Sequence, residues 1–168
     1  MTDDRMPPVF SGDERTVLNS WLEWHRATLA VKCAGLSDEQ LRERAVPPSN
    51  LSLLGLVRHM AHVERAWFRR NIADEDIPLL YGKETSPDAD FEEAGTASVE
   101  EAFTTWQDEM ERARKISAEL PLDAMAKRQR DGQDVSHRRI LVHLIQEYAR
   151  HNGQADLLRE RIDGVTGE

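Results

Sequence analysis

Glu147 and His151, in the run Glu147-Tyr-Ala-Arg-His151, are the two residues best placed to do chemistry. Four apart on a helix, they share one face. Ile140, Leu144, Leu158 and Ile162 fall on the same stripe, so that face points inward. A carboxylate and an imidazole aimed into an apolar stripe are costly unless something satisfies them. A divalent metal ion does so.

A third ligand must come from another element, and the histidines around residue 60 supply one. At about 100° per residue, Leu53, Val57, Met60, Glu64 and Trp67 cluster at the centre of an apolar arc. Leu56 and Val63 lie at one edge, and His59 sits just beyond it. His62 falls on the opposite side, among Arg58, Arg65 and Arg69, and is expected at the surface. One Glu and two His form an established catalytic zinc set, with a fourth position left for water or substrate. The competing reading makes each of these residues an ordinary hydrogen-bonded helix-flank side chain. His143 sits one turn before Glu147, and Gln154 one turn past His151 on the same flank.

Two further polar residues break an apolar pattern. Glu64 needs a partner, and Arg159, on an apolar face of the last helix, is a candidate. Their pairing is either a salt bridge tying helices together or a support for the site. His25 lies mid-stripe on the first helix and either lines a pocket or is a core histidine.

Four long amphipathic segments must position these residues. The first is expected from about Asp13 to Cys33, with Val17, Leu18, Trp21, Leu22, Thr28 and Leu29 on its apolar stripe. Gly35 stops it, and Ser37-Asp-Glu-Gln40 fits a capping box for a short helix. Pro47 and Pro48 break the chain. A second long helix is expected from about Ser52 to Asn71. Residues 72–97, rich in acids with Pro and Gly, read as a long loop with at most one short helical turn. Ser98-Val-Glu-Glu101 opens a third helix, ending near Leu120-Pro121. After a polar turn marked by Asp131-Gly132, a fourth runs from near Ser136 to about Ile162. No strand pattern or internal repeat is visible. The expectation is an all-α four-helix bundle with a long crossover loop, in a single domain covering 1–168.

Composition narrows the function. The chain has 168 residues, 31 acidic and 22 basic, for a net charge of −9. That balance argues against non-specific nucleic-acid or anionic-membrane binding. Cys33, the only cysteine, excludes an intramolecular disulfide framework and a cysteine-rich zinc site; it reads as a packing residue. No signal peptide and no apolar run of about twenty residues is seen, so a cytoplasmic location is expected. The chain has no Glu-x-x-His, which discounts a di-iron bundle, and no His-Glu-x-x-His, which excludes that class of zinc protease. Trp21, Trp24, Trp67 and Trp106 serve the core or a subunit interface, and exposed helix faces admit a homodimer.

The segment Leu53-Leu-Gly-Leu-Val-Arg-His59-Met-Ala-His-Val-Glu64-Arg-Ala-Trp67-Phe resembles the second helix of DinB-like metal-binding bundles. His143-Leu-Ile-Gln-Glu147-Tyr-Ala-Arg-His151-Asn-Gly153-Gln154 is similar to their last helix, and the likeness extends over nearly the whole chain. In that superfamily three histidines usually hold the metal, and the matching positions here are His59, Glu147 and His151. Glu147 stands where the common pattern has histidine, as in the branch resembling mycothiol-dependent maleylpyruvate isomerase. That branch uses zinc and a low-molecular-weight thiol. Gln154 replaces a histidine expected in near relatives.

The resemblance implies a metal-dependent thiol transferase or isomerase, with Zn²⁺ ahead of Ni²⁺, Fe²⁺ or Mn²⁺. A small-molecule substrate would meet a thiol whose proton His143 or His25 carries. The rival is a non-catalytic stress-response module that binds a metal or another small ligand.

Overall fold

Capping residues set the starts of the helices. In the computed structural model, which describes residues 5–82 and 86–167, α1 covers Glu14–Cys33 and α2 covers Asp38–Arg42. Helix α3 covers Leu53–Glu64 and runs directly into a π-helical segment, Arg65–Ile72. The short α4 (Ala89–Glu92) continues as 3₁₀ turns over Glu93–Thr96. Helices α5 (Val99–Ala118) and α6 (His137–Asp163) complete the chain. Asp13, Ser37, Ser52, Ser98 and Ser136 each accept a hydrogen bond from an otherwise orphaned backbone N–H of the first turn. Ser37 and Gln40 form the full reciprocal capping box. Gly164, at φ 80°, closes α6 in the left-handed conformation that glycine adopts without strain.

Helix α1 packs mainly on α6 and α3 mainly on α5, while α3 also meets α6. The four long elements make a bundle, and the chain passes between α3 and α5 by way of α4. Its centre is Leu29, Leu53, Leu54, Leu56, Val57, Met60, Phe68, Ile140, Leu141 and Leu144, all without exposed surface. Among the described residues there is no strand, only isolated bridges, and no helix is long and apolar enough to cross a membrane.

A polar chain threads this apolar centre. Arg26 of α1 grips Glu64 of α3 through two hydrogen bonds of 2.8 and 2.7 Å. Tyr148 of α6 donates to Glu64 at 2.9 Å, and Trp106 of α5 donates to Tyr148 at 2.8 Å. One network thus ties all four helices. Glu64 has no exposed surface, and each buried member is satisfied by the next. The expected Glu64–Arg159 pair does not form. Arg159 instead bonds Asp163 and the carbonyls of Lys32 and Ala34, pinning α6 to the end of α1. Arg26 wins because α1 brings it directly alongside Glu64.

The second helix departs from expectation past Glu64. Its last two turns widen, with Ala73 N–H bonding Phe68 O at 3.0 Å, five residues back. Such π turns recur at functional sites. The polar stretch after α5 closes as a tight turn in which Asp131 (φ 52°) and Gly132 (φ 73°) both take the left-handed region. Asn71, in the π segment, anchors that stretch by bonding Arg128 O at 2.8 Å through its side chain and accepting Arg128 N–H at 3.1 Å.

Candidate metal centre

Helices α3 and α6 place His59, Glu147 and His151 at one point. Each offers one ligand atom, and the three atoms lie within 4.8 Å of one another. Glu147 Oε2 is 3.4 Å from His151 Nε2 and 3.9 Å from His59 Nε2. Donors around a tetrahedral zinc with ~2.0 Å bonds stand about 3.3 Å apart. Small side-chain rotations therefore close this set on an ion.

The far nitrogens of both imidazoles are already engaged. His59 Nδ1 bonds Asp90 Oδ2 at 2.7 Å, and His151 Nδ1 bonds Gln154 Oε1 at 2.7 Å. An acceptor on Nδ1 selects the tautomer whose Nε2 carries a free lone pair. Both rings thus present a ligand atom to the same point as the Glu147 carboxylate. Burial, followed by neighbouring His59, pushes the pKa of His151 below the usual imidazole value, so the ring stays neutral, the form a metal needs. The donor set, two imidazoles and a carboxylate held by their own partners, fits a borderline divalent cation.

Asp90 is the residue that sequence reasoning missed. It lies in the segment read as loop, on α4, and is buried. Arg58 holds α4 down by bonding the carbonyls of Asp90 (2.9 Å) and Ala89 (3.1 Å). Phe91 then stacks on His59 with ring centres 4.9 Å apart. Gly55 makes this approach possible, because a Cβ there would stand 3.1 Å from the Phe91 ring. A carboxylate–aromatic pair inside an acidic loop carries no periodic signal, and nothing local in the sequence marks it.

The centre opens on a cavity of about 700 Å³. His59 and Glu147 form part of its wall, together with His62, Trp67, Arg70 and His143. His143 Nε2 is 3.6 Å from Glu147 Oε1, and its ring meets Trp67 edge-on at 4.6 Å. Burial lowers the pKa of His143, so it too is held neutral.

His62 is not the surface residue expected from the helical wheel. The crossover segment folds over it: Tyr81 N–H bonds its Nδ1 at 3.4 Å, and the Tyr81 ring stacks against it. Burial lowers its pKa. His25 does not line this cavity; Asn152 bonds its carbonyl at 3.0 Å, its ring leans on Trp21, and burial lowers its pKa. Cys33 is a buried free thiol whose pKa burial pushes up to about 12, which makes it inert as a nucleophile.

A family model described as mycothiol-S-transferase matches residues 17–164. The chain belongs to the mycothiol-S-transferase family. The match takes in most of α1 and all of α2 through α6, and with them His59, Asp90, His143, Glu147 and His151. No curated protein matches the chain. Membership accords with the resemblance to the DinB-like, mycothiol-related branch and with a thiol-related enzyme.

Proposed function

We propose that this protein is a divalent-metal-dependent thiol S-transferase that joins a low-molecular-weight thiol, mycothiol by family, to an electrophilic small molecule. The observation that carries this reading is the convergence of His59, Glu147 and His151 beside a 700 Å³ cavity whose wall His59 and Glu147 help to form. Family membership supports the thiol. Zn²⁺ is the first choice of metal; Ni²⁺, Fe²⁺ and Mn²⁺ suit the same donors.

His59, Glu147 and His151 would hold the divalent cation, which would lower the pKa of an arriving thiol and so supply thiolate at neutral pH. The rest falls to the chain. Asp90 and Gln154 keep both imidazoles aimed inward. His143, neutral and beside Glu147, is the base placed to take the thiol proton. The cavity holds the electrophile so that its reactive carbon faces the sulfur. The sulfur electron pair then forms the C–S bond, and the leaving group departs with its own bonding pair. An isomerase would use the same addition to a double bond, followed by rotation and loss of the thiol. Cys33, buried and protonated, is not the reacting sulfur. The cell interior, where such thiols are kept reduced, is the proposed location.

Metal analysis of protein purified without a nickel column, alongside a thiol-conjugation assay with a chloronitrobenzene, tests the proposal. Near-stoichiometric metal is expected, and both metal and conjugation are lost in His59→Ala and His151→Ala. Metal-free wild-type protein, with conjugation indifferent to either substitution, overturns the whole reading. Bound metal without conjugation overturns the transferase and leaves a binding module.

A further inference from the structure

Arg70 and Arg139 line the same cavity as His59 and Glu147. Several other arginines of this acidic chain are paired: Arg26 with Glu64, Arg65 and Arg69 with Glu109, Arg138 with Glu14. The guanidinium groups of Arg70 and Arg139 have no hydrogen bond or ion pair among the described residues. The Arg70 Nε is buried with no hydrogen-bond partner among the described residues. An unpaired buried guanidinium N–H is costly unless a ligand completes it.

The surroundings strengthen the imbalance. Arg128 and Arg130 reach the wall from the anchored turn. Arg128 is committed to Asp74, while Arg130 lies over the Trp67 ring at 5.6 Å. Among the described residues, Glu147 and Asp131 are the only acids in the wall. Asp131, at 3.8 Å from Arg130, offsets that side chain alone, and Glu147 faces the candidate metal. Arg139, His143 and Glu147 follow one another every four residues on a single face of α6. At about 1.5 Å per residue, Arg139 stands roughly 12 Å along the helix from Glu147. Arg70 sits within the π-helical extension of the helix that carries His59. The cavity therefore has a candidate metal end and a cationic end, with Trp67 between them.

We propose that the cationic end is a subsite for a carboxylate or phosphate group on the electrophile, held by Arg70 deep in the cavity and by the more exposed Arg139 at its mouth. The planar fork of a guanidinium matches both anions, and two forks from different helices fix the direction in which the molecule lies. The substrate class is an acidic electrophile whose anionic group lies on the order of 10 Å from its reactive carbon, given the helical rise. The reactive end rests on the thiol-transfer reading; the anion subsite does not.

A chloronitrobenzamide bearing a carboxylate on a short alkyl arm, compared with its methyl ester, provides the test on metal-loaded protein. Wild-type protein should prefer the acid in kcat/KM, and added salt should erode that preference. Arg70→Gln and Arg139→Gln should each lower the acid-to-ester ratio about tenfold, the size of a lost charged hydrogen bond. Arg70→Lys and Arg139→Lys should keep part of it. Equal losses for acid and ester overturn the subsite. A change confined to the KM of the thiol places the anion on the thiol and overturns the assignment to the electrophile. Quenching of Trp67 fluorescence by the acid without thiol, absent in Trp67→Phe, reads binding alone. Arginine-dependent quenching without conjugation upholds the subsite and removes the transferase; conjugation with arginine-independent quenching does the reverse.

Discussion

Replacing Asp90 by Asn separates a ligand's presence from its orientation. The substitution keeps the volume of a buried side chain and its contact with the Phe91 N–H, now 3.0 Å from Asp90 Oδ1. It removes the charge from the 2.7 Å bond to His59 Nδ1. That carboxylate makes Nε2 a stronger donor and fixes the ring toward Glu147. Loss of such a partner typically costs 10–100-fold in metal affinity, or about 1.4–2.8 kcal/mol. Gln154 offers His151 only a neutral acceptor, whose net worth is about 0.5–1.5 kcal/mol, or roughly 2- to 10-fold. Gln154→Ala should therefore weaken binding less than Asp90→Asn. Competition for Zn²⁺ against a chromophoric chelator measures both affinities, and urea unfolding in the presence of chelator measures the fold separately. Asp90→Asn with wild-type affinity, or with a smaller loss than Gln154→Ala, refutes the claim that Asp90 orients the site.

Buried polar groups make three further predictions. Tyr148→Phe leaves the Trp106 N–H without its acceptor and should destabilise by about 1–3 kcal/mol in urea titrations, with metal content retained. Arg26→Met and Glu64→Gln each strand a buried partner and should cost about 3–5 kcal/mol, with the double variant well short of the sum; additive losses would contradict the coupling. His25, His62, His137, His143 and His151 all have pKa values lowered, chiefly by burial. The unfolded chain then binds protons first as pH falls through about 6.5, so metal-free protein should lose stability below that pH and gain none above it. His137, fully buried between Ser117 and Pro121, is the clearest contributor, and a flatter acid limb in His137→Gln tests it by thermal unfolding.

Much of this architecture follows from local rules that operate within a few residues. Caps at Asp13, Ser37, Ser52, Ser98 and Ser136, together with apolar periodicity, determine where the helices start and which faces they bury. The same periodicity puts His59 at the edge of one inward arc and Glu147 and His151 together on another, because four-residue spacing is a property of one helix. Tertiary structure decided what lies between segments. The wheel located His62 correctly on its helix, but the wheel does not include the crossover segment, whose Tyr81 half-covers it. Glu64 demanded a cation by its burial alone, yet only helix packing could choose Arg26 over Arg159. Asp90, 31 residues from His59, and the two unpaired arginines meet the centre only through packing between elements. Hydrogen bonds and ion pairs depend on distances of about 3 Å. A single sequence specifies which groups need partners; the folded chain specifies which partners arrive.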